Sequence, residues 1–167
     1  EKERELSHED LMICNAEEPM CIAGVFGGLH SGVNNETTSI FLESAWFENN
    51  SIRKTSMRYG LRTDAAVRFE KGADISQVTY ALQRAAQLMC EIAGASVFSK
   101  LVDVYPTPLE AKTIHIDIEK VRNLAGKNYS VEQIKNILNS LCFSILEEKG
   151  NEIKISVPFA KPDITMQ

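Results

Sequence analysis

The chain has 167 residues, 44% hydrophobic and 25% charged, an ordinary globular balance with room for one domain or two small ones. Its net charge of −5 is uneven: residues 1–111 hold ten basic against sixteen acidic side chains, residues 112–167 eight against seven. Neither part has the basic excess of a module that grips a phosphate backbone unaided. Cys14, Cys21, Cys90 and Cys142 show no C-x-x-C spacing and no histidine pair, which argues against zinc. Four thiols lean towards a reducing, cytoplasmic setting, although an even count also permits disulfides. No apolar run is long enough to cross a membrane.

In chain order, Met20–Phe26 is a short apolar run entering the Gly27-Gly28 turn and reads as a buried strand. Polar, turn-rich residues 29–37 lead to Thr38–Phe47, whose two faces are both mainly apolar, as in a strand covered on both sides. Asn49 or Asn50 is placed to cap a helix reaching Tyr59, with Ile52, Thr55, Ser56 and Tyr59 on one face and Gly60 as its stop. Leu61–Gly72 is dense in charge and small residues. Asp74, with Gln77 three residues on, opens a long amphipathic helix with Val78, Ala81, Leu82, Ala85, Leu88, Met89 and Ile92 as its apolar stripe, ended by Gly94. Val97–Tyr105 has a strand pattern. Pro106 and Pro108 mark a linker, placing a boundary near residue 110.

Beyond it, Thr113–Ile118 alternates as a strand. Asp117 caps a short helix with Val121 and Leu124 inward and Gly126 as its stop. Ser130 caps another, with Gln133 completing the pattern and Ile134, Ile137, Leu138 and Leu141 on its apolar face. Phe143–Glu147 and Glu152–Val157 flank Lys149-Gly150-Asn151 as a hairpin. The fold class is α+β, and the strand–helix–helix–hairpin order resembles a winged helix.

Gly24, Gly27, Gly28 and Gly32 do not form G-x-G-x-x-G, and no Gly-Lys-Ser/Thr follows, so tight turns explain them better than a phosphate loop. Glu43 lies mid-strand among Phe41, Ala45 and Phe47. A carboxylate there requires a partner. It is either ion-paired with Arg62 or Arg68, or the one polar recognition group of an apolar pocket. Arg62, Asp64, Arg68, Glu70 and Lys71 fit a surface ion-pair cluster, while Thr63, Ala65 and Ala66 are small enough for close approach to a ligand. His8, His30 and His115 are scattered and define no catalytic triad. Asp163 reads as a turn or cap residue.

The segments IAGVFGG (22–28), SGV (31–33), TTSIFLESAWF (37–47) and SIRKTSMRYGLRTDAAVRFEKG (51–72) resemble the editing module of bacterial phenylalanyl-tRNA synthetase β subunits. Residues 111–167, with D-x-x-x-V-x-x-L-x-G, S-x-x-x-I-x-x-I-L, the hairpin and Val-Pro before Pro-Asp-Ile, are similar to that family's next small module. The resemblance implies a partial editing domain over 1–110 and a winged-helix-like domain over 111–167, in a fragment beginning inside the editing module. It further implies hydrolysis of tyrosine mischarged on phenylalanine tRNA, with Glu43 as the recognition glutamate, Thr63 and Ala65 matching a conserved threonine and alanine, Gly27 a pocket glycine, and Phe41 against the ring. Asp64 stands where the family usually has glutamate, and His30 does not match a histidine that the family carries upstream. Asp163 matches the first of several acidic magnesium ligands, the others lying beyond residue 167. By the same resemblance the parent enzyme is a cytoplasmic ligase using ATP and Mg2+. It binds phenylalanine tRNA and pairs in a heterotetramer with an α subunit that holds the aminoacylation site. The fragment itself is expected to bind no cofactor and to be inactive or only partly active in editing. The other reading is a non-catalytic scaffold that packs against the α subunit or nucleic acid.

Overall fold

A computed structural model describes residues 2–166. The chain divides into two compact units, residues 1–100 and 101–167, the second of which takes in the proline linker.

In the first unit, β1 (Met12–Cys14) and β2 (Pro19–Ile22) form an antiparallel pair. The Asn15 side chain folds the turn between them by accepting from the backbone N–H of Glu17 and Glu18, 2.8 and 2.7 Å away. The strand expected over Met20–Phe26 therefore stops early. After Ile22 the backbone reverses, and the N–H groups of Val25 and Phe26 both reach the Ile22 carbonyl at 3.0 Å. Helix α1 (Asn49–Tyr59) follows. Its cap is Glu48, rather than Asn49 or Asn50, because that carboxylate accepts from the N–H groups of Asn50 and Ser51 at 3.0 and 2.8 Å. Ile52, Thr55 and Ser56 are its buried face, and it stops at Gly60 as expected.

Thr63 caps a helix not foreseen from sequence, α2 (Asp64–Phe69). Ile22, Val25, Ile52, Leu61 and Ala66 form the buried cluster of this unit, with Met12, Phe47, Tyr59 and Phe69 packed on it. A 3₁₀ turn, Ile75–Gln77, capped by Asp74, leads into α3 (Val78–Ala93). The apolar stripe of α3 exists, but none of its residues is fully buried and Ile92 is exposed.

Two expectations fail here. Thr38–Phe47 is not a strand: among the described residues none of its backbone groups makes a backbone hydrogen bond, and Phe41 is 95% exposed. Val97–Tyr105 likewise joins no ladder, with Val97, Phe98, Val102 and Val104 exposed. The physical reason is shared: a strand exists only through a neighbour that takes its backbone hydrogen bonds, and no neighbour is present among the described residues.

The second unit builds a three-stranded antiparallel sheet in the order β3 (Thr113–Asp117), β5 (Glu152–Ser156), β4 (Ser144–Lys149). Ile114 and Ile116 on β3, and Ile153 and Ile155 on β5, face one buried side while His115 faces water. The register of edge strand β4 shifts between Ile145 and Glu147, leaving Leu146 exposed. Helices α4 (Ile118–Ala125) and α5 (Val131–Ser140) supply Ile118 and Ile134 to the same core. Ser130 and Gln133 form the reciprocal capping box that their spacing predicts. Leu124 is a correction: it is exposed, and of the pair expected inward only Val121 packs against the core. The α+β class holds.

Candidate functional site

The residues singled out from sequence lie on three pieces of the first unit: the Ile22–Gly28 loop, the Thr37–Phe47 segment and the start of α2. One side chain joins two of them. The Thr63 hydroxyl donates to the Val25 carbonyl at 2.7 Å and accepts from the Ala66 N–H at 3.1 Å. It thus caps α2 and fastens that helix to the glycine-rich loop, two residues from Gly27. Ala66 is buried beneath it, while Ala65 and Gly27 are exposed.

The loop is shaped by two glycines that sequence reasoning had treated only as turn formers. Gly24 has φ +66°, and a Cβ there would stand 2.8 Å from Phe47, 3.0 Å from Ile52 and 3.2 Å from Phe69. A Cβ on Gly28 would fall 1.8 Å from the Met20 carbonyl oxygen. Nothing lies within 4 Å of a Cβ on Gly27, which leaves open space above the loop there. The signal for the two tight positions is tertiary, since the atoms that crowd Gly24 come from residues 23 to 45 positions away.

The third piece is held at its ends. Trp46 donates its indole N–H to the Ala73 carbonyl at 3.1 Å, and Phe47 meets Phe69 edge-on with ring centroids 5.1 Å apart. Glu43, expected in the interior, is exposed and makes no ion pair with Arg62 or Arg68 among the described residues. Arg62 instead pairs loosely with Glu70 at 3.6 Å. The Glu43 charge nevertheless bears on β2: burial pushes the Cys21 thiol up, and the neighbouring charges of Glu43 and Cys14 add to it.

A separate cluster braces this framework. The Asp10 carboxylate, its side chain fully enclosed, accepts from the Thr55 hydroxyl and the Arg58 guanidinium at 2.7 Å each, from the Ser7 N–H at 2.8 Å, and from the Tyr59 hydroxyl. Burial pushes this carboxyl up, but the hydrogen bonds from Tyr59, Thr55 and Ser7 and the charge of Arg58 outweigh it, so the net shift is downwards. Nothing in the sequence marked Asp10, whose partners lie up to 49 positions away.

Asp163 is exposed, and no group of three metal-capable side chains occurs among the described residues. One carboxylate does not meet the ligand demand of Mg2+, so no chemistry is routed through a metal here. The four cysteines are free, and His8, His30 and His115 are all exposed. No helix among the described residues is long and apolar enough to cross a membrane.

Residues 1–94 match the B3/4 domain family and residues 114–167 the tRNA synthetase B5 domain family. The molecule is therefore a B3/4 domain joined to a B5 domain. Proteins named phenylalanine–tRNA ligase β subunit match the same stretch: that of Porphyromonas gingivalis is 46% identical over 164 residues, that of Bacteroides fragilis 45% over 162, and that of Carboxydothermus hydrogenoformans 38% over 166. These alignments take in 97–99% of this chain and 20–21% of each relative. The chain belongs to the phenylalanine–tRNA ligase β-subunit family, and it spans about a fifth of the length of the curated relatives it matches.

Proposed function

We propose that residues 1–100 supply part of a hydrolytic proofreading site that removes tyrosine wrongly attached to phenylalanine tRNA, within an enzyme that carries out ATP-dependent phenylalanyl-tRNA aminoacylation. The observation that carries this reading is the Thr63–Val25 hydrogen bond, which brings the small residues at the start of α2 beside the open glycine loop in a B3/4 module.

The chemistry follows from the problem. Tyrosine exceeds phenylalanine by one hydroxyl, and an apolar synthetic pocket rejects an added hydroxyl poorly. A second pocket with a carboxylate reverses the preference. Glu43 accepts the phenolic hydrogen bond, and where the bound ester excludes water from that carboxylate, phenylalanine leaves it unpaired at a cost of roughly 1–3 kcal/mol. Phe41 covers the ring, Gly27 leaves room for it, and Thr63 with nearby backbone groups positions the ester and a water. No side-chain nucleophile is needed. ATP and Mg2+ serve the aminoacylation step, which falls to a partner α subunit in a heterotetramer and not to these residues. The B5 unit serves as a scaffold.

The test is hydrolysis of tyrosyl-tRNA(Phe) and phenylalanyl-tRNA(Phe) by the complete β subunit with its partner. Glu43→Ala should cut discrimination between the two esters by roughly one to two orders of magnitude. Unchanged discrimination makes Glu43 a surface carboxylate and sinks the mechanism.

A further inference from the structure

We propose that Ser56 is a positioning residue of the hydrolytic site: its buried hydroxyl fixes the direction in which the chain leaves α1, and so places Thr63 against the Val25 carbonyl. Its effect on turnover rests on the proofreading reading above, while its effect on the placement of Thr63 rests on geometry alone.

Thr55 and Ser56 are buried polar residues side by side on α1, 2% and 3% exposed. The Thr55 hydroxyl donates to Asp10 at 2.7 Å. The Ser56 hydroxyl has a different use. A serine inside a helix commonly turns back to a carbonyl one turn earlier. This one reaches forward, past the helix end, and donates to the Leu61 carbonyl at 2.6 Å. The helix stops without that bond. The Gly60 N–H donates to the Met57 carbonyl at 3.2 Å and the Leu61 N–H to the Ser56 carbonyl at 2.9 Å, around a left-handed Gly60. These are the paired bonds of a Schellman ending. Leu61 therefore has both its N–H and its carbonyl bound to Ser56, and no backbone N–H among the described residues reaches that carbonyl instead.

Two residues further on stands Thr63, whose hydroxyl donates to Val25 at 2.7 Å and accepts from the Ala66 N–H at 3.1 Å. Hydrogen bonds weaken steeply as their angles open, so this double contact tolerates little displacement. The Leu61 carbonyl belongs to the planar peptide that begins Arg62. Once it is fixed, only the torsions of Arg62 and the first torsion of Thr63 separate the anchor from the Thr63 side chain. Arg62 adds little restraint, because its exposed guanidinium meets Glu70 only at 3.6 Å. Ser56 is thus the firm anchor on the α1 side of the joint.

The experiment uses the full-length β subunit assembled with its partner subunit, comparing Ser56→Ala, Thr55→Val and Thr63→Ala. In amide exchange read by mass spectrometry, peptides over 62–70 should exchange about tenfold faster in Ser56→Ala and change little in Thr55→Val. In hydrolysis of tyrosyl-tRNA(Phe), Ser56→Ala should lose about tenfold in kcat with KM held within about twofold, since a displaced positioning group costs turnover rather than binding. Unchanged exchange over 62–70 in Ser56→Ala overturns the proposal. An equal loss in Thr55→Val also overturns it, because general loosening of α1 would then account for both. Normal turnover in Ser56→Ala alongside an impaired Thr63→Ala does the same. Full activity in Thr63→Ala instead removes Thr63 from the proofreading reading, and the exchange data still decide whether Ser56 places it.

Discussion

Residues 101–167 close around a core of eight buried residues from Ile114 to Val157, while the longer stretch 1–100 gathers only five, and its longest helix buries none fully. In the B5 unit every strand finds its neighbour within 43 positions, and both helices are capped by adjacent side chains. In the B3/4 unit the Thr38–Phe47 pattern, which reads as a strand, has no neighbour among the described residues. A locally wired module can satisfy its backbone and bury its apolar face by itself. A module wired through distant segments leaves both open.

The sharpest way to break this comparison is core truncation. Ile153 is fully buried, and Ile153→Ala should cost about 2–5 kcal/mol, whereas Ile92→Ala on α3, where the side chain is exposed, should stay within about 0.5 kcal/mol. Chemical denaturation followed by circular dichroism separates them, and equal losses would mean that α3 is covered after all. Within the first unit, Gly24→Ala should cost at least about 1–2 kcal/mol from its left-handed backbone alone, before the approach to Phe47 is counted. Trp46 is the single tryptophan, so its fluorescence isolates this loss from the second unit.

Capping gives a middle-sized effect. Ser130→Ala removes one arm of the capping box on α5 and should cost about 0.5–2 kcal/mol. Cys142, at φ +66° just after α5, occupies a conformation glycine takes more easily, so Cys142→Gly should gain up to about 1 kcal/mol in the same unfolding assay.

Acidity should sharpen the contrast from the other side. The Asp10 carboxyl titrates lower when folded than when unfolded, so its contribution is present above the unfolded value and is lost as pH falls through the folded one. Trp46 fluorescence melts at descending pH should show the B3/4 unit losing stability through the acid range. Asp10→Asn should lower stability at neutral pH and flatten that dependence. An unaltered slope in the variant would place the acid-sensitive group elsewhere.

What was readable in the sequence tracks the same divide. In residues 101–167 the Asp117 and Ser130 caps and the hairpin around Gly150 were legible because each signal and its partner lie a few residues apart, and the strand starting at Thr113 because its alternation is itself local. Leu124 misled, since periodicity identifies a face but not whether anything covers it. In residues 1–100 the α1 face and the α3 stripe were legible for the same local reason. The Glu48 cap was missed because two asparagines beside it are equally good candidates by residue type. The α2 helix was missed because Asp64–Phe69 is too short to show a period.

Family and α+β class were determined by the sequence alone, since motif order and local periodicity survive without any partner. Tertiary structure alone decided that Thr63 ties α2 to the Val25 carbonyl, that Gly24 and Gly28 are the tight positions, that Asp10 gathers four donors, and that Phe41 and Glu43 stand in water. The reason is physical. Whether a polar or apolar group is satisfied depends on atoms brought from far along the chain, and a pattern of residue types records the demand for such a partner without recording its presence.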